Sequence, residues 1–170
     1  LAISLIERRL KAAFPDIEYQ VHGTPKDVDG ARDLAARDKY QFQWWALSLV
    51  SAMPQGGKKK GADKGIDGII FVTPAMEKTQ HVIVSVKGGE NINVSMIRDL
   101  KGVVEREKAA IGLFITLSEP SKQMLAEAVS AGFYECHNMK YYKIQILTVR
   151  DLLDGKLPHL PSQDPNMWKK

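Results

Sequence analysis

Apolar positions recur three and four apart over residues 1–14, where Leu5, Ile6, Leu10, Ala13 and Phe14 are interleaved with Glu7, Arg8, Arg9 and Lys11. That spacing predicts an amphipathic helix, ended by Pro15-Asp16. Residues 17–21 read as a short edge strand and 22–25 as a loop. Residues 27–38 predict a second helix, with Val28, Ala31, Leu34 and Ala35 inward. A stronger helix is expected over 40–53, on Phe42, Trp45, Leu49 and Ala52. Trp44 and Trp45 do not both fit on its inner face. Packing in the core or against the N-terminal segment is the expected fate of both, and base stacking by one of them is the alternative. Residues 54–60 read as a basic loop.

The period then changes from helical to two. The apolar run 69–72, a loop over 73–80 and the run 81–87 read as an antiparallel hairpin. With Val72 opposite His81, Asp67 falls opposite Val86, so Asp67, Ser85 and Lys87 converge at the far end. Ile83, Ser85 and Lys87 share one face of the strand, and Val82, Val84 and Val86 the other. After a turn at 88–91, Asn93 or Ser95 is placed to cap a helix that runs to about residue 110. Its inner face carries Met96, Ile97, Leu100, Val103 and Val104. Residues 111–117 are nearly continuously apolar, as a strand covered on both sides requires. Ser118 or Ser121 caps the next helix, which Gly132 closes. Residues 143–149 alternate as a strand. Thr148-Val-Arg-Asp151 has the form of a capping box for a last short helix ended by Gly155. The order predicts an α/β fold, a mixed central sheet flanked by helices. Residues 1–39 are expected as an N-terminal extension packed on a core of 40–155, followed by a polar tail at 156–170.

At 170 residues the chain has room for one domain with a real core. Lys and Arg number 24 against 20 Asp and Glu, a net charge of +4. That mild excess permits nucleic acid without demanding it. Lys58, Lys59, Lys60 and Lys64 cluster just ahead of Asp67. A solvated loop is the plain reading of such a run, and its place beside a candidate phosphate site favours contact with a DNA backbone. Cys136 is the single cysteine, which excludes an intrachain disulfide and fits a reducing, cytoplasmic setting. No apolar stretch has the length of a membrane span. The chain begins at Leu1 rather than methionine, which fits a fragment of a longer polypeptide.

Asp67 and Lys87 at one sheet end carry two readings. One is a structural ion pair. The other is a hydrolytic metal site, in which a carboxylate holds a hard cation such as Mg2+ and the ammonium offsets charge on a phosphate. Asp63, four residues earlier, is a second carboxylate able to serve that site. Gly61, Gly65 and Gly68 let the loop turn tightly.

The layout and Asp67…Ser85-Val86-Lys87 resemble the restriction-endonuclease-like PD-(D/E)xK nucleases. Gly61-Ala-Asp-Lys-Gly-Ile-Asp67 is similar to the G-x-D-x-G-x-D signature of the Mrr-type branch. With the segments starting at Tyr40, Val84 and Arg98, the chain also resembles the C-terminal restriction-type domain of some prokaryotic DNA methyltransferases. The resemblance implies a restriction-endonuclease-like core and a Mg2+-dependent DNA endonuclease, with Mn2+ as a substitute. Asp67 then holds the metal with the Val86 carbonyl, and Lys87 positions water. Ser85 and Gln43 stand where the family usually has acidic or amide residues and a helical glutamate. Those two departures lower the number of anionic ligands, and Asp63 offers compensation. DNA is the implied partner, with a methyltransferase domain or subunit and a homodimer as further expectations. The alternative is a nuclease-fold module that binds DNA without cutting it, and a plain interaction domain is the third reading.

Overall fold

The structure is a computed structural model that describes residues 2–19, 21, 23–55, 65–73, 79–136 and 138–161. Asp63 and the lysines at 58, 59, 60 and 64 therefore lie outside the described residues. Five strands form the main sheet in the order β1 (Met53–Pro54), β2 (Gly68–Val72), β3 (Gln80–Lys87), β4 (Ile111–Thr116) and β7 (Ile144–Thr148). The first three pair antiparallel, and β3, β4 and β7 run parallel. This is the mixed α/β sheet that the periodicity predicts.

Helices cover both faces. On one side lie α2 (Val28–Arg37), α3 (Lys39–Leu49) and α6 (Val149–Leu153). Their Leu34, Phe42, Leu47 and Leu152 pack with Ile70, Val72, Val82, Val84 and Leu113 of the sheet. On the other side α4 (Val94–Arg106) and α5 (Lys122–Ser130) set Ile97, Leu100, Val103 and Met124 against Ile83, Phe114 and Ile144. All six residues of β4 are buried, because helices close both its faces. Burying a side chain such as Phe114 completely contributes roughly 1.5–3 kcal/mol.

The helix ends follow local chemistry. Asp27, Asp38, Asn93 and Ser121 each cap a helix through a side-chain oxygen that accepts from a backbone N–H in the first turn. Gly132 and Gly155 take positive φ where their helices stop. The helix α1 (Ala2–Ala13) exposes Ile3 and Ile6, and Phe14 just past its end is exposed too. Among the described residues no helix is long and apolar enough to cross a membrane.

Five local expectations are corrected. Residues 17–19 and 21 form no strand, because the sheet edge beside β2 is taken by β1. Helix α3 stops at Leu49 rather than 53, since Ser51 adopts φ 55° and the Ala52 N–H folds back to the Leu47 carbonyl. That reversal frees Met53-Pro54 to pair as an edge strand, where proline is tolerated. Helix α4 ends at Arg106 rather than 110, with Lys108 at φ 52°. The hairpin register is one residue off, with Val72 opposite Gln80 and Phe71 opposite His81. This register places Ile70 across from Val82 and Gly68 across from Val84, so residues of one buried face stay together. Finally, a separate two-stranded sheet of β5 (Phe133–Cys136) and β6 (Met139–Tyr142) occupies a stretch without a predicted element. Asn138 takes φ 61° in its turn, a conformation asparagine tolerates better than most residues.

The start of the tail is irregular but held. Gln145 on β7 donates to the His159 carbonyl and accepts from its N–H, and Leu160 packs against the core.

Candidate functional site

The carboxyl end of β3 is where the layers part. Here β2 begins one residue after Asp67, and the ladder changes character. The Asp67 N–H donates to the Val84 carbonyl at 3.0 Å, as in a regular rung. The next N–H on β3, that of Val86, donates instead to the Asp67 carboxylate, Oδ2, at 2.7 Å. The side chain therefore stands in for a missing backbone carbonyl. Its other oxygen, Oδ1, accepts from Nε2 of Gln43 at 3.0 Å. Gln43 sits on α3 one residue after Phe42, whose buried ring anchors the helix. Asp67 thus joins α3, β2 and β3 through two charge-assisted hydrogen bonds, each worth about 1.5–3 kcal/mol. The amide orientation of Gln43 follows from the same contact, because turning it over would set a carbonyl oxygen against a carboxylate.

Lys87 follows Val86 at the strand end. With Gln43 it lines a cleft whose wall also includes Lys39, Phe42 and Met96. The odd residues of β3 bond across to β4, as His81 and Lys87 do through their carbonyls, whereas Val84 bonds toward β2. By that alternation the Val86 carbonyl is directed to the β2 side, where Asp67 stands. Ser85 is 6% exposed and by strand alternation shares a face with Ile83, which packs in the α4–α5 cluster. The structure therefore gathers Gln43, Asp67, Val86 and Lys87, and places Ser85 in the sheet interior. Trp45 packs partly buried against Phe42, ring centroids 6.0 Å apart, and is part of the core.

The donor set can be tested against Mg2+ directly. This ion prefers six oxygens in octahedral array, usually one or two carboxylates completed by waters and substrate phosphates. Among the described residues the site offers one carboxylate, Asp67, and one backbone carbonyl, that of Val86. Both carboxylate oxygens already accept hydrogen bonds, and the group nearest Asp67 on α3 is an N–H donor rather than an anion. No group of three or more His, Cys, Asp or Glu side chains gathers anywhere among the described residues. Among the described residues this donor set is the minimum that such an ion takes from a protein, one carboxylate that Gln43 and Val86 also engage.

The sequence reading missed one part of this arrangement, the bond from Gln43 to Asp67 that turns a suspected ligand position into a donor. Its signal was a glutamine where a helical glutamate is usual.

Comparison with known proteins agrees with the fold. The model of the family described as NACHT-associated inactive Restriction Endonuclease 1 matches residues 53–154. Two solved structures of restriction endonuclease FokI resemble the chain. FokI bound to DNA superposes with a TM-score of 0.45 at 16% identity, over 89% of this chain and 29% of that one. A second FokI structure gives 0.48 at 14% identity, over 89% and 30%. The chain thus spans less than a third of the length of either. No curated protein sequence matches it significantly.

Proposed function

This chain belongs to the family of NACHT-associated inactive restriction endonucleases, and we propose that it is a nuclease-fold module that binds DNA and leaves the phosphodiester intact. One observation carries the reading. Asp67, the residue to which the motif resemblance assigns a metal, is bound through both carboxylate oxygens to Gln43 and to the Val86 backbone. A carboxylate used as a strut between helix and sheet, beside an amide instead of a second acid, is a poor seat for a divalent cation. Without that cation the site lacks the charge needed to lower a phosphodiester barrier.

DNA is the partner supported by the fold's kinship with nucleases and by the lysines at 58, 59, 60 and 64, which precede Asp67 in sequence. Backbone contact by such lysines is independent of base sequence and strongly salt-dependent. The family description names NACHT association, so a NACHT domain in the same polypeptide or complex is the proposed protein partner, ahead of a DNA methyltransferase.

The second reading, a Mg2+-dependent endonuclease, is favoured by the direction of the Val86 carbonyl and by Lys87 beside it. Supercoiled plasmid separates the two. Incubated with Mg2+ or Mn2+, the protein should retard plasmid in a gel and leave it supercoiled. Nicking that depends on the ion and disappears in Lys87→Ala would establish the second reading. Absence of any retardation at low salt would overturn both.

A further inference from the structure

Two adjoining clefts open at the end of β3. The smaller, about 260 Å³, is lined by Lys39, Phe42 and Gln43 of α3, by Lys87 and Gly88, and by Met96 of α4. Among the described residues its lining carries two ammonium groups and no carboxylate; Asp67 stands next to it, bonded to Gln43. The larger, about 630 Å³, shares Lys39 and Gly88 with it and mixes Arg32 and Arg150 with Asp33, Glu90 and Glu119. The positive charge is therefore concentrated in the smaller cleft, and the wider one is balanced.

Size and charge together select a ligand. At about 260 Å³ the cleft lies just below the roughly 300–1,000 Å³ of drug-sized sites, so it takes at most a group of about one nucleotide. A duplex lies across it and does not enter. An internal phosphodiester carries one negative charge, whereas a phosphomonoester carries about −1.5 to −2 at neutral pH and three acceptor oxygens. Two lysines match the second. The walls suit the rest of a nucleotide, since Ile92 and Met96 give an apolar surface beside the polar groups. The backbone is open to approach as well. A Cβ added at Gly89 would meet nothing within 4 Å, while one at Gly88 would come within 2.7 Å of the Phe42 ring. Gly88 lets the turn lie on that ring, and Gly89 leaves its outer side clear.

We infer that the small cleft seats the phosphomonoester end of a nucleic-acid strand, with the terminal phosphate between Lys39 and Lys87 and its sugar and base against Met96 and Ile92. The inference rests on the DNA-binding reading above and sharpens it from a backbone binder to a module that recognises ends.

Fluorescence anisotropy with one duplex sequence in four forms tests it: 5′-phosphorylated, 3′-phosphorylated, unphosphorylated, and closed at both ends by hairpins. One phosphorylated form should bind about tenfold more tightly than the unphosphorylated and closed forms, a difference of about 1.4 kcal/mol. Which form gains identifies the end. Lys39→Ala, an exposed helical position, and Lys87→Ala should each bring that ratio close to one. A free nucleoside monophosphate should compete for the difference and leave the closed duplex bound. Equal affinity for all four forms would overturn the inference and leave the DNA-binding reading standing. A ratio unchanged in both variants would also overturn it. Absence of binding to every form would remove the DNA-binding reading and the inference together.

Discussion

Asp67 stands just before β2 and Asp151 in the first turn of α6 just after β7, and each accepts a backbone N–H and a side-chain donor. Asp151 takes the Thr148 N–H and hydroxyl, both at 2.9 Å, and closes the capping box of α6. Those partners are three residues away, and Lys156, five away, adds an ion pair at 3.3 Å. Asp67 takes the Val86 N–H and the Gln43 amide, 19 and 24 residues away. Local partners organise one turn of helix. Distant partners lock two strands and a helix into one arrangement, and in doing so they engage both oxygens of the carboxylate. The same chemistry is a cap in one place and a strut between helix and sheet in the other.

The largest break in that comparison should come from Asp67→Ala. It leaves the Val86 N–H and the Gln43 amide without their acceptor, and the expected loss is about 3 kcal/mol of unfolding free energy in urea titration. A loss no greater than that of an exposed alanine substitution would show that Asp67 is no strut. Gln43→Glu should come next. It sets a second carboxylate about where the amide now bonds Asp67, and the repulsion should cost about 2 kcal/mol near neutral pH. Mg2+ should then recover the melting temperature of this variant and leave that of the wild type unchanged. Recovery in both proteins would mean that the native donor set already holds the ion.

Asp151→Asn should have the smallest effect, about 1 kcal/mol, as for other helix caps. Burial pushes its carboxyl up, but the Thr148 hydrogen bonds and Lys156 outweigh that and hold it below the ordinary 3.8. A depressed native value means that the stabilisation is fully present above about pH 3.8 and is lost as pH falls through the native value. Acid unfolding of Asp151→Asn, followed by circular dichroism, should lack that component. Identical acid curves for the two proteins would contradict it.

The division between local and distant partners also explains what was legible in the sequence. The caps at Asn93 and Ser121 and the box at Thr148 and Asp151 could be read because their partners lie within three residues. The apolar runs that became β3 and β4 could be read because burial on both faces removes polar residues. The hairpin register could not, since a loop of one residue more or less fits the same pattern. The end of α3 was hidden because Ser51, not glycine, takes the left-handed turn. The β5–β6 pair lay behind aromatic residues that alternate between exposed Phe133 and Tyr142 and buried Tyr141. At the candidate site, the motif located Asp67, Val86 and Lys87, but only the folded chain shows a helix glutamine donating to Asp67.

Calorimetric titration of the wild-type protein with Mn2+ tests the central claim most directly. With Asp67 engaged by Gln43 and Val86, no saturable binding is expected in the range up to a few millimolar typical of weak cation sites. Saturable, roughly one-to-one binding that vanishes in Asp67→Ala would contradict it and return the site to metal-dependent chemistry.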